Sequence, residues 1–348
     1  MASGRRRPRR RENQMAQEWQ IDGPKVLDIG DENERVGKLR LGLVAGRVDI
    51  VTHDDSPTAR LEVHEVTGQP LQVTWDGWTL KITHVKDKDG SLWESLTSFT
   101  QDKGKRSARV SISVPATTQI NASTVSAEAL INGVHARVKA NTVSGSLTLV
   151  DIVGDVDANT VTGEIECHAL DGDFKGNSIS GALTVQASRL RQVRLNTVSG
   201  DITLDLTDGG AQIQSNSVSG DVTVRIPRGG GYDVAAHTAS GHVVIDGQSM
   251  NGDAPFQRGG QLSDGDKALV IKANSVSGDV VVLRATDVQV SRPDVQDARA
   301  DAQDATPKVK DTGPDAQDAT PMVKNTVPDS QDTAPDAQDT VPDTKNAG

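Results

Sequence analysis

Aromatic side chains make up only 2% of this 348-residue chain: three Phe, four Trp and one Tyr. Recognition of sugars or single-stranded nucleic acid through stacked rings therefore has no platform. There is a single cysteine, Cys167, which excludes an intrachain disulfide framework and a multi-cysteine zinc site. No apolar run reaches the roughly 18 residues that a spanning helix needs, so no membrane span is expected. The seven histidines (His53, His64, His84, His135, His168, His237 and His242) show no metal-ligand spacing. Neither a metal nor any other cofactor is expected.

Positive charge is also in short supply. The formal net charge is −11, and it is unevenly spread. Residues 1–14 hold six Arg and one Glu, and residues 293–348 hold twelve Asp against five Lys and Arg. With +5 at the start and −7 in the tail, residues 15–292 carry −9. An acidic body argues against nucleic acid, because phosphate binding needs a basic stripe.

The basic start, Gly4 to Arg11, resembles the first part of an export signal, but the polar stretch Glu12 to Gln20 follows where an apolar segment belongs. The sequence thus points to the cytoplasm, to a disordered basic segment over 1–16, and leaves open a translation start at Met15. At the other end, proline recurs at 293, 307, 314, 321, 328, 335 and 342. Seven is the coiled-coil period, yet a proline in every heptad forbids a continuous helix. The segment 291–348 is expected to be a disordered Asp/Pro-rich tail.

What is present is a repeat. Asn196-Thr-Val-Ser-Gly200 recurs as Asn141–Gly145, Asn159–Gly163, Asn177–Gly181, Asn216–Gly220, His237–Gly241 and Asn274–Gly278, with a degenerate copy at Ser123–Ala127. Successive copies start 18, 18, 18, 19, 20, 21 and 37 residues apart. Apolar residues stand three before the Asn (Val138, Val156, Phe174, Val193, Ile213, Val234, Ile271). They stand again two and four past the Gly (Leu147/Leu149, Ile202/Leu204, Val280/Val282). Period two means strand. A unit of 18–21 residues is too short for helical repeats or propeller blades, and it suits one rung of a solenoid.

The fold class expected is all-β: a single-stranded parallel β-helix with 18–21-residue rungs over 119–290, preceded by a β-rich N-terminal cap with the first rungs over 17–118. Leu39 to Ile50 fits the rung register. Trp75-Asp-Gly-Trp78 carries a hairpin-turn signal, residues 86–107 suit a long loop, and residues 246–268 suit an insertion replacing a rung.

The motif itself reads as a corner, with Gly for close approach or positive φ and Asn for a bend. Its Val is expected to point inward, between two outward hydroxyl rows. The possible interaction surface is accordingly Thr142, Ser144, Thr160, Thr162, Thr197, Ser199, Ser217 and Ser219, with Asp201 and Asp221 beside it. Stacked corner aspartates (Asp155, Asp201, Asp221, Asp279) could hold Ca²⁺, but the glycine-aspartate nonapeptide of Ca²⁺-binding rolls is missing, and a solvated edge is expected. Cys167 takes an inward position and reads as core. No catalytic residues are identified.

Laid out as Asn-[Ser/Thr]-Val-Ser-Gly-Asp-[Ile/Val]-Thr-[Leu/Val], the repeat resembles the bacterial "putative adhesin" β-strand-repeat family, a domain of unknown function related to toast-rack domains. The resemblance covers residues 18–285, most closely at Asn196–Leu204, Asn216–Val224 and Asn274–Val282. It implies a β-strand-repeat fold and brings no catalytic residues. The function expected is a non-enzymatic scaffold that binds a protein partner or self-associates along or at the ends of the solenoid. The alternatives are an exported adhesin or polymer-binding surface and, third, a polysaccharide-active β-helix enzyme. No nucleic-acid or small-molecule partner is expected.

Overall fold

The computed structural model describes residues 16–31, 34–84, 106–250 and 258–285. The basic start, nearly all of the loop expected at 86–107, residues 251–257 and the acidic tail lie outside them. The described residues all fall within one unit, Met1–Asp287, and every regular element among them is a strand.

The chain begins with β1 (Gln17–Ile21) and β2 (Lys25–Ile29), then the long β3 (Lys38–His53), β4 (Ala59–Thr67), β5 (Leu71–Trp75), β6 (Thr79–Thr83) and β7 (Ser107–Pro115). The repeats supply β8 (Gln119–Asn132), β9 (Val138–Thr142), β10 (Leu147–Val153), β11 (Val156–Thr160), β12 (Ile165–Ser178), β13 (Leu183–Thr197), β14 (Ile202–Leu206), β15 (Gln212–Asn216) and β16 (Val222–Ile226). After them come β17 (Tyr232–Thr238), β18 (Val243–Ile245), β19 (Gln248–Ser249), β20 (Arg258–Asp264), β21 (Leu269–Ser275) and β22 (Val280–Arg284).

Each rung lays one strand before the Asn-Gly corner and one after it, and the two sets form two faces. Pairing along the first face runs β1–β5–β6–β3–β8–β9–β11–β12–β13–β15–β21–β17–β20. Along the second it runs β2–β4–β7–β3–β8–β10–β12–β13–β14–β16–β22–β18–β19. Strands β3, β8, β12 and β13 turn a corner and serve both faces. The protein is an all-β single-stranded solenoid, and its rungs repeat at 18–21 residues in the register read from the sequence.

Alternation builds the core. Val138 and Ala140 of β9, and Leu147 and Leu149 of β10, are buried, and their counterparts in the other rungs join one apolar cluster, except Gly176 and the buried Ser215 at the Ala140 position. Burying a Val, Leu or Ile side chain stabilises by about 1.5–3 kcal/mol. Cys167 stacks between Leu149 and Val185 in this ladder and is fully buried.

Chain order and stacking order differ at both ends. The final rung, β21–β22, does not close the stack. It lies between β15–β16 and β17–β18, and the segment read as an insertion instead folds β19 and β20 back antiparallel onto β18 and β17. At the start, β3 lies inside the rung formed by β6 and β7, while β4 with β2 and β5 with β1 cover the end antiparallel. Antiparallel flaps therefore cover the open rungs, as a solenoid requires. The hairpin signal is met: β5 and β6 join through Gly77, at φ 86°, with Asp76 Oδ1 accepting hydrogen bonds from the amides of Trp78 and Thr79.

Candidate interaction surface

The corner that carries the motif is built differently from the sequence expectation. Strict alternation through Val138 and Ala140 reaches Thr142, not Val143, and the structure follows it. Thr142, Thr160, Thr197 and Ser217 are buried, with 2%, 6%, 5% and 6% exposure, so these four candidate surface residues are corrected to core. The reason is local hydrogen bonding. The Thr142 hydroxyl accepts from the Gly145 amide and donates to the Gly145 carbonyl, both at 3.1 Å; Ser217 does the same with Gly220 at 2.9 and 2.8 Å. A small hydroxyl side chain thus supplies both partners that the buried turn would otherwise lack. Thr160 is the variant case: its hydroxyl oxygen is buried without a partner.

The glycine is required by close approach. A Cβ on Gly181 would lie 1.8 Å from the Gly163 carbonyl oxygen, and on Gly200 it would lie 2.0 Å from that of Gly181. The motif glycines stack in one column with no room for a side chain. The asparagines do not take the left-handed conformation. Asn159, Asn177, Asn196, Asn216 and Asn274 each donate from Nδ2 to Oδ1 of the asparagine one rung away, at 3.0, 2.7, 2.9, 3.0 and 3.2 Å. The ladder begins at Ser123, which Asn141 meets at 3.4 Å.

Asp201 and Asp221 are exposed, and each also bonds to the next rung. Asp201 Oδ1 accepts from the Asp221 amide at 2.9 Å, and Asp221 Oδ1 from the Asp279 amide at 2.8 Å. Asp279 closes the series with the His242 amide at 2.8 Å.

With Thr inside, the motif's apolar residue is outside. Ile179, Val198, Val218 and Val276 are 49%, 47%, 47% and 52% exposed, and Val143 and Val161 are half-buried in the same row. Beside them, Ser144, Thr162, Ser199 and Ser219 are exposed. Their hydroxyls donate to the carbonyls of Val125, Val143, Ile179 and Val198 on the neighbouring rung, at 3.2–3.5 Å. The corner therefore presents an apolar ridge with one branched side chain per rung from Val143 to Val276, ending at Ala239, flanked by hydroxyls already engaged with backbone. Sequence reasoning missed the ridge, although alternation alone contained the signal.

Three other titratable groups have unusual surroundings: Cys167, His84 and Arg284. Burial pushes the Cys167 thiol well above its ordinary range, and Glu166 adds to this, so it is no nucleophile at neutral pH. His84 is 2% exposed, neither ring nitrogen has a partner, and burial, helped by the Arg106 charge, lowers it to about 4. Arg284 bridges Asp246 and Asp264 and lies over the Tyr232 ring at 4.9 Å, tying β22 to the terminal rung. Among the described residues no group of three or more His, Cys, Asp or Glu side chains converges as a metal site.

Comparison with solved structures gives distant likenesses. A "putative lipid binding protein" from Parabacteroides distasonis shares 15% identity at a TM-score of 0.36, over 76% of this chain and 97% of its own. A "putative adhesin" from Bacteroides fragilis shares 14% at 0.31, over 76% and 99%. A "putative cell adhesion protein" from Clostridium sporogenes shares 12% at 0.25, over 75% and 100%. Comparison with curated proteins gives no match. The family model described as Toastrack DUF4097 matches residues 47–283, which span the repeated rungs, the Asn-Gly corner and the Asn ladder, and the chain belongs to this toast-rack family.

Proposed function

We propose that this toast-rack domain is a non-enzymatic scaffold that works by protein contact, with the corner ridge as its contact line. The observation that carries this reading is the exposed row Ile179, Val198, Val218 and Val276. These residues are apolar at positions that folding leaves in solvent, while the neighbouring position of the motif does the corner's structural work. Contiguous exposed apolar surface marks an interface, and the four stack on successive rungs, whereas a singly exposed apolar residue needs no partner. A partner that offers apolar side chains at the rung pitch of about 4.8 Å matches it.

The test is comparative cross-linking in cells with the wild-type chain and Val198→Asp/Val218→Asp. The substitutions are expected to abolish specific adducts while leaving the thermal transition in place. Identical adducts from both proteins would refute the reading. The cytoplasmic location is part of this proposal, and cell fractionation tests it; recovery on the cell surface favours the adhesin alternative instead.

A further inference from the structure

The two faces of the solenoid carry opposite uncompensated charge. On the first face the outward row runs Lys139, Asp157, Lys175, Arg194, Gln214, Lys272 in continuous register. Its flanking cations are already neutralised, since Arg137 pairs with Asp155 at 2.9 Å and Arg191 with Asp173 at 3.3 Å. Lys139, Lys175 and Arg194 are exposed, and among the described residues none of them makes an ion pair. The one acid in the row, Asp157, accepts from Asn159 at 2.9 Å.

On the second face four of the seven outward positions just after the corner are acidic, between Ser146 at one end and His242, 3.4 Å from Asp279, at the other. Glu164, Glu166, Asp201 and Asp221 are exposed, and no cation pairs with them among the described residues. Backbone bonds stack Glu164, Asp201, Asp221 and Asp279 in one line with Ala182 between the first two. The nearest arginine on this face, Arg225, is consumed by Asp205 at 2.5 Å.

We infer that copies of this chain stack laterally, the basic first face of one against the acidic second face of the next. Two observations single out a second copy as the occupant. The charges are complementary, and both rows advance by one rung, so only another solenoid of equal pitch keeps them in register over several rungs. Because different faces meet, the contact is heterologous and extends beyond a dimer, as a ring or an open stack. Seven rungs of a five-residue strand cover roughly 500 Å² per partner by strand geometry. That is below the 800 Å² or so per partner of a stable complex, so association is weak, reversible and salt-dependent. The inference rests on the scaffold reading but uses neither the corner ridge nor the ends, which antiparallel strands already cover.

The test is the weight-average mass of the full chain by light scattering, at about 10 mM salt, where the Debye length is about 30 Å, and at about 1 M, where it is about 3 Å. Mass is expected to rise with protein concentration at low salt, at least twofold, and to return to monomer at high salt. Lys175→Glu/Arg194→Glu and Glu164→Lys/Glu166→Lys should each stay monomeric at low salt. Mixed in equal amounts they should co-associate, because each supplies the face the other has lost.

A wild-type chain that remains monomeric at low salt overturns the inference. So does unchanged association after Glu164→Lys/Glu166→Lys, which would mean that some other anionic segment occupies the basic face. All these side chains are exposed, and unchanged circular dichroism and thermal transitions confirm that the variants are folded. Val198→Asp/Val218→Asp should leave stacking intact, so failure of the stack and failure of the ridge are separable.

Discussion

Exchanging the chemistry of two adjacent residues in one corner tests the reassignment of the motif. Thr197 is 5% exposed and its Oγ1 accepts from the buried Gly200 amide at 2.9 Å, whereas Val198 is 47% exposed. Thr197→Val keeps the shape, removes the acceptor and leaves a buried N–H without a partner, which costs about 1–3 kcal/mol. Val198→Thr changes a solvent-facing methyl to a hydroxyl and is expected to cost no more than about 0.5 kcal/mol, as surface substitutions do. The unit is large enough that 1 kcal/mol shifts Tm by about 2–4 °C. Thr197→Val should therefore lower Tm by about 2–12 °C while Val198→Thr leaves it nearly unchanged. Differential scanning calorimetry measures both. Equal losses, or a larger loss for Val198→Thr, would refute the inward placement of the hydroxyl row and restore Val to the core.

Gly181→Ala places a methyl where the Gly163 carbonyl stands, 1.8 Å away; it should cost more than 3 kcal/mol by overpacking against backbone and shows as loss of soluble, cooperatively melting protein. Ala169 is held at φ 56°, so Ala169→Gly should raise stability by up to about 1 kcal/mol in urea titration, because the left-handed region strains any side chain. Cys167 should resist alkylation at neutral pH in the native protein and react only after unfolding, which mass spectrometry with iodoacetamide reads directly. For His84 the folded value near 4 lies below the unfolded 6.5, so the unfolded chain binds the proton first. Stability should be flat above pH 6.5 and fall towards pH 4, by about 3 kcal/mol from this residue, and His84→Gln should flatten that part of the profile.

The rung period, the inward positions on both strands and the N-terminal register at Leu39–Ile50 were legible because they follow from spacing alone. A buried position repeated seven times leaves an apolar column in the sequence. The corner is harder to read, since there both members of the Ser/Thr-Val pair are compatible with a strand, and apolarity alone favours burying the Val. Hydrogen bonding decided the matter: a turn that buries the Gly145 amide and carbonyl needs a hydroxyl inside more than it needs a methyl. The Asn ladder was hidden for a related reason. Each side-chain bond joins residues 18 to 58 apart, so it is visible only once the stacking order is known. A second turn of the rung left no glycine signature, because L residues hold its left-handed positions, Asp151, Ala169 and Ala187.

The threading of the last rung has a consequence for how the solenoid is completed. Asn274 bonds Asn216 across 58 residues, and among the described residues the β17–β18 rung pairs with the rest of the ladder only through β21 and β22. Until residues up to Arg284 have docked, β17 and β18 have no parallel neighbour, and their cap strands β19 and β20 cover nothing. A repeat array in which each rung leans on the previous one frays from its end. Here the terminal rung is held by the one that follows it in the chain, and Arg284 fastens that rung to Asp246 and Asp264 beyond it. Removal of 269–285 should thus unfold residues 232–264 together instead of exposing a new end at β18, and hydrogen exchange resolves the two outcomes. Exchange protection retained over Val234–Ile245 in the truncated chain would show that chain order, not stacking order, governs the end of the solenoid.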